Sequence, residues 1–348
     1  MKTRKTKPTA LVLGATGRFG RNMCEALATS GWSVITQSRK EPLSGSQADE
    51  IQTLVCEMGN NDELRDAAAL ADVVVYAQNP PYQHWSEHAV PLTRRAVELA
   101  KINNATLLFP GNVYNFGTAM PGRLDANTPQ TAQTKKGRIR IEMEHHLRSA
   151  SENGLQIIIL RMGDFLEGHQ TGNWFDSQMI KDTHKGHFIY PGKTDIPHAW
   201  AYLPDAAKAA VMLLEKRNTL PQWNDIPFAG TTLSGDQMRG EIETAIGKKL
   251  TTKSIPWFAI RMMGLFSPMM RELMEMRYLW DTPHALDGTE LKRLLPDYRD
   301  TPVDEMFRYL MSDQITTSGA HHSERPYQDR QAQSHHQHPQ NRVSAPQT

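Results

Sequence analysis

The residues best suited to chemistry stand near the N-terminus, as Gly14-Ala15-Thr16-Gly17-Arg18-Phe19-Gly20. They follow an apolar run at 10–13 and open a helical stretch. Three glycines in that setting match what a dinucleotide pyrophosphate demands. One makes a tight turn, one lets backbone approach the phosphates, and one lets the helix pack on the strand, with the helix N-terminus facing the anion. Thr16, Arg18 and Phe19 share the loop and are expected to line it. An acidic residue near 37–39 would hold the ribose of the unphosphorylated dinucleotide. Gln37, Ser38, Arg39 and Lys40 stand there instead. Arg39, with Arg18, suits a 2′-phosphate, so NADP(H) is expected over NAD(H).

Such a loop needs a scaffold of alternating elements. Strand-like runs at 10–13, 33–37, 53–56, 72–77, 106–109 and 156–160 alternate with helical stretches at 21–29, 62–71, 88–102 and 138–152. Short, continuously apolar strands between amphipathic helices predict an α/β, Rossmann-type doubly wound parallel sheet, with its ligand at the carboxyl ends of the strands. The expected division is a basic extension at 1–8, a dinucleotide-binding domain at 9–165 whose sheet continues beyond it, and a smaller substrate lobe with helices at 166–312. A disordered tail rich in His and Gln at 313–348 completes it. In the lobe, helices are expected at 205–216, with Asp205 as N-cap after Pro204, and at 235–246. The methionine-rich stretch 257–280 reads as a helical pair packed on the lobe and broken at Pro268, in preference to a membrane or partner surface.

Composition narrows the function classes. The 348 residues include 39 Lys+Arg against 38 Asp+Glu, a net charge of +1. That balance offers no electrostatic reason to expect nucleic acid or a membrane surface as partner. A small-molecule substrate is expected, and a homodimer is compatible. Cys24 and Cys56 form no disulfide framework and no metal-ligand spacing, so no metal site and a reduced, cytoplasmic setting are expected. Lys2, Arg4, Lys5 and Lys7 precede only four apolar residues, too few for a signal peptide.

The glycine spacing G-x-x-G-x-x-G resembles that of the short-chain dehydrogenase/reductase superfamily, in its extended and atypical branches. Further similar stretches span roughly residues 9 to 311. Glu57-Met58 stands where the family contacts adenine, and Ala77-Gln78-Asn79 resembles its cofactor-lining turn. Gly111-Asn112-Val113-Tyr114 and Leu160-Arg161-Met162-Gly163 resemble the turns after its fifth and sixth strands. Ala201-Tyr202-Leu203-Pro204-Asp205-Ala206-Ala207 is similar to a segment of the epimerase/dehydratase type. The resemblance implies that Glu57, Met58, Ala77 and Gln78 bind the cofactor.

The family's Ser, Tyr and Lys triad is absent. The expected Ser falls on Pro110, the Tyr on Lys136 and the Lys on Arg140. Lys136-Gly137-Arg138-Ile139-Arg140 instead resembles the "K-A-x-I-R" stretch of isoflavone reductase-like and NmrA-like members, in which a lone Lys replaces the Tyr. That likeness implies proton transfer by Lys136 beside the nicotinamide, with burial and the neighbours Lys135, Arg138 and Arg140 lowering its pKa. Positions 136 and 140 share one helical face. Asn112 and Tyr114 are candidates to hydrogen-bond a substrate oxygen. Tyr82, His84 and Trp85 occupy a loop suited to a lid, and His198, Trp200 and Tyr202 are candidates to line the lobe. The function expected is an NAD(P)H-dependent oxidoreductase acting on a small carbonyl, alcohol or activated double bond. The alternatives are a nucleotide-sugar epimerase/dehydratase and an NmrA-like dinucleotide sensor without turnover.

Overall fold

A computed structural model describes residues 7–40, 51–59, 61–168 and 172–312. Strands β1 (Thr9–Leu13), β2 (Ser33–Ser38), β3 (Ile51–Val55), β4 (Val73–Tyr76) and β5 (Thr106–Gly111) alternate with helices α1 (Arg18–Thr29), α2 (Asp62–Leu70) and α3 (Trp85–Ile102). A two-residue strand β6 (Arg123–Leu124) and helix α4 (Lys135–Glu152) lead to β7 (Ile157–Arg161). Next come β8 (Asp164–Leu166), β9 (His187–Tyr190), β10 (His198–Tyr202), α5 (Leu203–Glu215) and β11 (Trp223–Pro227). The C-terminal elements are β12 (Thr231–Leu233), α6 (Gly235–Ile246), β13 (Thr251–Ser254), α7 (Trp257–Met263), α8 (Pro268–Met276), β14 (Ala285–Leu286), α9 (Thr289–Leu294) and α10 (Val303–Leu310).

Seven strands form one parallel sheet in the order β11-β7-β5-β4-β1-β2-β3. Strand order reverses beside β1, which pairs with β2 on one edge and β4 on the other. Crevices outside the carboxyl ends at such a reversal are where ligands bind. The central strands are largely apolar because both faces are covered. Leu11, Leu13, Val74, Leu107 and Phe109 enter the core on one face, and Ala10, Val12, Val75, Leu108 and Ile158 the core on the other. A third core, around Phe175, Trp200, Trp280 and Phe307, holds the lobe together.

Several boundaries differ from the sequence expectation. Helix α1 begins at Arg18, inside the glycine loop, and α3 begins at Trp85 and carries Pro91 within it. Asp205 lies in the first turn of α5 behind the N-cap Tyr202. It is not the cap, because its carboxylate accepts from Thr301 N (2.7 Å) and Thr301 Oγ1 (2.8 Å). The helical pair expected over 257–280 is present, and it divides before Pro268, which opens α8 because a first-turn proline forfeits no intrahelical hydrogen bond. Most of the extension expected at 1–8 and all of the tail expected at 313–348 lie outside the described residues. Among the described residues no helix is long and apolar enough to cross a membrane.

Candidate functional site

The glycine loop closes over the carboxyl end of β1. Gly14 has φ +80°, and a Cβ there would lie 2.9 Å from the Ala77 carbonyl oxygen. A Cβ on Gly20 would collide with the Gly14 oxygen and lie 2.9 Å from Ala15 Cα. Only glycine therefore fits at either position. Gly17 is the N-cap of α1, no side chain caps the helix, and its first turn holds no acid. The positive end of the helix is thus left for an external anion. Shape and charge both fit a dinucleotide pyrophosphate. Thr16 is exposed at the loop's rim and Phe19 is buried beneath it.

The ends of β2 and β3 flank this cradle. Buried Gln37 is a keystone that sequence reading missed. Its Oε1 accepts from Gly14 N (3.1 Å) and Gln78 Nε2 (2.8 Å), and its Nε2 donates to the Cys56 carbonyl. Three loops are joined through one amide. Arg39 is exposed just beyond β2. Arg18 Nε lies 3.4 Å from Glu167, an ion pair that ties the glycine loop to the segment after β8. Glu57 is exposed, whereas Met58 is buried and its carbonyl accepts from Arg95 Nε (3.1 Å). The Ala77 backbone packs directly on Gly14.

A second group of polar side chains gathers beyond β5. Asn112 Oδ1 accepts from Tyr114 N (3.0 Å), tightening the turn, and the Tyr114 and Tyr82 hydroxyls are 3.0 Å apart. Burial pushes both phenols above their ordinary range. They therefore act as neutral hydrogen-bonding groups. Thr134 caps α4 by accepting from Gly137 N (3.1 Å), which sets Lys136 in the first turn. Gly137 allows the close approach, because a Cβ there would strike the Tyr114 carbonyl.

Lys136 is 1% exposed. Its Nζ bonds Glu275 Oε2 (2.8 Å) and the Glu272 carboxylate, both on α8, and its backbone N–H donates to Glu275 Oε1 (3.1 Å). The expected crowd of cations is not what surrounds it. Lys135 and Arg138 are exposed, and the ammonium is instead balanced by two carboxylates from the lobe. Arg140 does share its face of the helix. Its Nη1 donates to the Pro110 carbonyl (3.1 Å), and the guanidinium lies over the rings of Trp85 (5.1 Å) and Phe109 (5.5 Å). Burial lowers its pKa, and its buried Nε has no hydrogen-bond partner within the protein.

Other groups were not legible from spacing. Asp164, at the start of β8, bonds His198 Nε2 (2.9 Å). The His198 ring stacks on Trp280 at 4.5 Å and 8°, with His284 4.4 Å away edge-on. Burial, then the nearby His198, push His284 down to about 4. The separation of 34 positions between Asp164 and His198 hid this pair. Among the described residues, His84, Glu87 and His88 could converge on a cation, although all three are exposed and no metal-ligand spacing was expected.

A glycine cradle at a strand-order reversal invites comparison with known dinucleotide enzymes. The model of the NAD dependent epimerase/dehydratase family matches residues 10–226, more than half of the chain. The chain belongs to that family. No curated protein matches it. Its fold is that of UDP-glucuronic acid 4-epimerase from Bacillus cereus (TM-score 0.70, 18% identity, 89% of this chain and 96% of that one). It is likewise similar to UDP-glucose-4-epimerase from Stenotrophomonas maltophila, solved with NAD and a formylated UDP-arabinopyranose (TM-score 0.71, 14% identity, 90% and 99%). A third similar structure is UDP-N-acetylglucosamine 4-epimerase from Bacillus cereus (TM-score 0.69, 16% identity, 89% and 99%).

Proposed function

We propose that this protein holds a nicotinamide dinucleotide, NADP(H) in preference to NAD(H), and uses it for epimerase/dehydratase-type chemistry on a nucleotide sugar. The observation that carries the reading is the cradle, in which side chains at Gly14 and Gly20 would collide with backbone and the N-terminus of α1 is uncapped. Bound there, the dinucleotide supplies a hydride acceptor and donor. Family membership and the UDP-sugar ligands of similar structures support return of hydride to the same substrate rather than net oxidation or reduction.

The chain's own residues divide the remaining work. The paired hydroxyls of Tyr82 and Tyr114 orient the substrate oxygen, and Asn112 holds the turn that places Tyr114. Lys136 gives a proton to that oxygen when hydride reaches the carbon and takes it back when hydride leaves. Glu272 and Glu275 balance its charge while it holds the proton as an ammonium. Arg140 braces the Pro110 turn beside it.

The departure at position 136, a lysine where the family places a phenol, favours a second reading. This is a net oxidoreductase for small carbonyl compounds. Incubating the protein with each dinucleotide and a panel of nucleotide sugars and carbonyl compounds separates the two. Conversion of a sugar without net change in nicotinamide absorbance is the expected result. Steady NADPH oxidation on a carbonyl compound would favour the second reading. Dinucleotide binding with no turnover on any compound would leave a sensor.

A further inference from the structure

Six of the ten large apolar side chains exposed among the described residues fall between 258 and 269: Phe258, Met262, Met263, Leu265, Phe266 and Met269. Scattered exposed apolar residues are ordinary, but a contiguous cluster marks a surface that meets something apolar. Phe266 is 89% exposed and Leu265 64%, at the tip between α7 and α8. This tip is a built turn. Leu265 N donates to Met262 O (3.2 Å), Phe266 N to Met263 O (3.0 Å), and Arg271 Nη1 to Gly264 O (3.0 Å). Leu265 and Phe266 are thus held outward by hydrogen bonds.

Charge selects the occupant. The stretch 257–271 contains Arg261 and Arg271, both exposed, and no acidic residue. The acids of α8, Glu272 and Glu275, turn inward onto Lys136. The outer face is therefore apolar and cationic, the pattern of an element that lies in the interface of an anionic bilayer. A second copy of this chain would bring the same two arginines and no acid from this stretch to pair with them. We propose that the α7–α8 hairpin docks on anionic lipid membranes, with Phe266 and Leu265 entering the boundary between headgroups and acyl chains and Arg261 meeting lipid phosphates. The proposal does not depend on the catalytic reading.

Sedimentation with vesicles tests it. The full chain is mixed with vesicles of phosphatidylcholine containing one third phosphatidylglycerol, or with phosphatidylcholine alone. Binding to the mixed vesicles and much weaker binding to the neutral ones is expected. Leu265→Glu with Phe266→Glu should weaken binding by about tenfold or more, and Arg261→Gln by roughly fivefold. Both substitutions are on exposed side chains, and an unchanged melting temperature and dinucleotide affinity confirm that the variant is folded. No sedimentation with either vesicle would overturn the proposal, as would sedimentation unaffected by the double variant. Concentration-dependent dimerisation that the double variant abolishes would reassign the face to a second copy.

Discussion

Arg18 and Arg39 carry the same charge near the same end of the cradle, but their surroundings differ. Arg18 is 3.4 Å from Glu167, whereas Arg39 stands exposed beyond β2. If the proposed preference for a 2′-phosphate holds, Arg39 should carry most of it. Arg39→Ala should weaken NADPH binding by about 1.5–3 kcal/mol, the worth of a charge-assisted hydrogen bond, and leave NADH nearly unchanged. Fluorescence titration of both cofactors reads this directly, and equal affinities in the unmodified protein would contradict it. Lys136→Met should lower turnover by roughly 10²–10⁴-fold while dinucleotide binding persists. Full activity in that variant would move the proton to another group, Tyr114 first.

At the scale of elements, Arg161 is a structural rather than a chemical residue. It is fully buried at the end of β7, bonds Glu144 on α4 (2.7 Å) and Asp225 on β11 (2.6 Å), and donates to the Asn112 carbonyl (2.8 Å). Arg161→Met would leave two buried carboxylates without their cation, a loss of about 3–5 kcal/mol. Urea unfolding should show the drop, and a change under 1 kcal/mol would mean the network relaxes. The sheet was legible because β1, β4, β5 and β7 are short, mostly apolar runs buried on both faces, where apolar continuity is favoured. The glycine loop was legible for a similar reason, since local backbone sterics restrict it. The surroundings of Lys136 were not. Glu272 and Glu275 lie 136 and 139 residues downstream, in a methionine-rich stretch whose helical pairing was evident but whose inward face was not. The ion pair of Arg18 with Glu167 and the Asp164–His198 pair were hidden likewise, because tertiary contacts between charged groups leave no periodicity.

For the whole molecule, acid should lower stability. His284 is buried, and its pKa falls from 6.5 to about 4 on folding. Between those values the unfolded chain binds the extra proton and the folded one does not, so stability is full above pH 6.5 and declines as pH falls toward 4. The contribution is on the order of 3 kcal/mol. Melting temperatures across that range should fall less steeply in His284→Gln, and identical slopes would locate the acid sensitivity elsewhere. The same molecule-wide arrangement sets the glycine cradle at the strand-order reversal, and dinucleotide binding there is its central property. Calorimetric titration of NADP⁺ and NAD⁺ into the protein and into Gly20→Ala tests that most directly. Micromolar binding, near −8 kcal/mol, is predicted for the unmodified protein, tighter for NADP⁺ and lost in Gly20→Ala. A folded, unmodified protein that binds neither dinucleotide would contradict it.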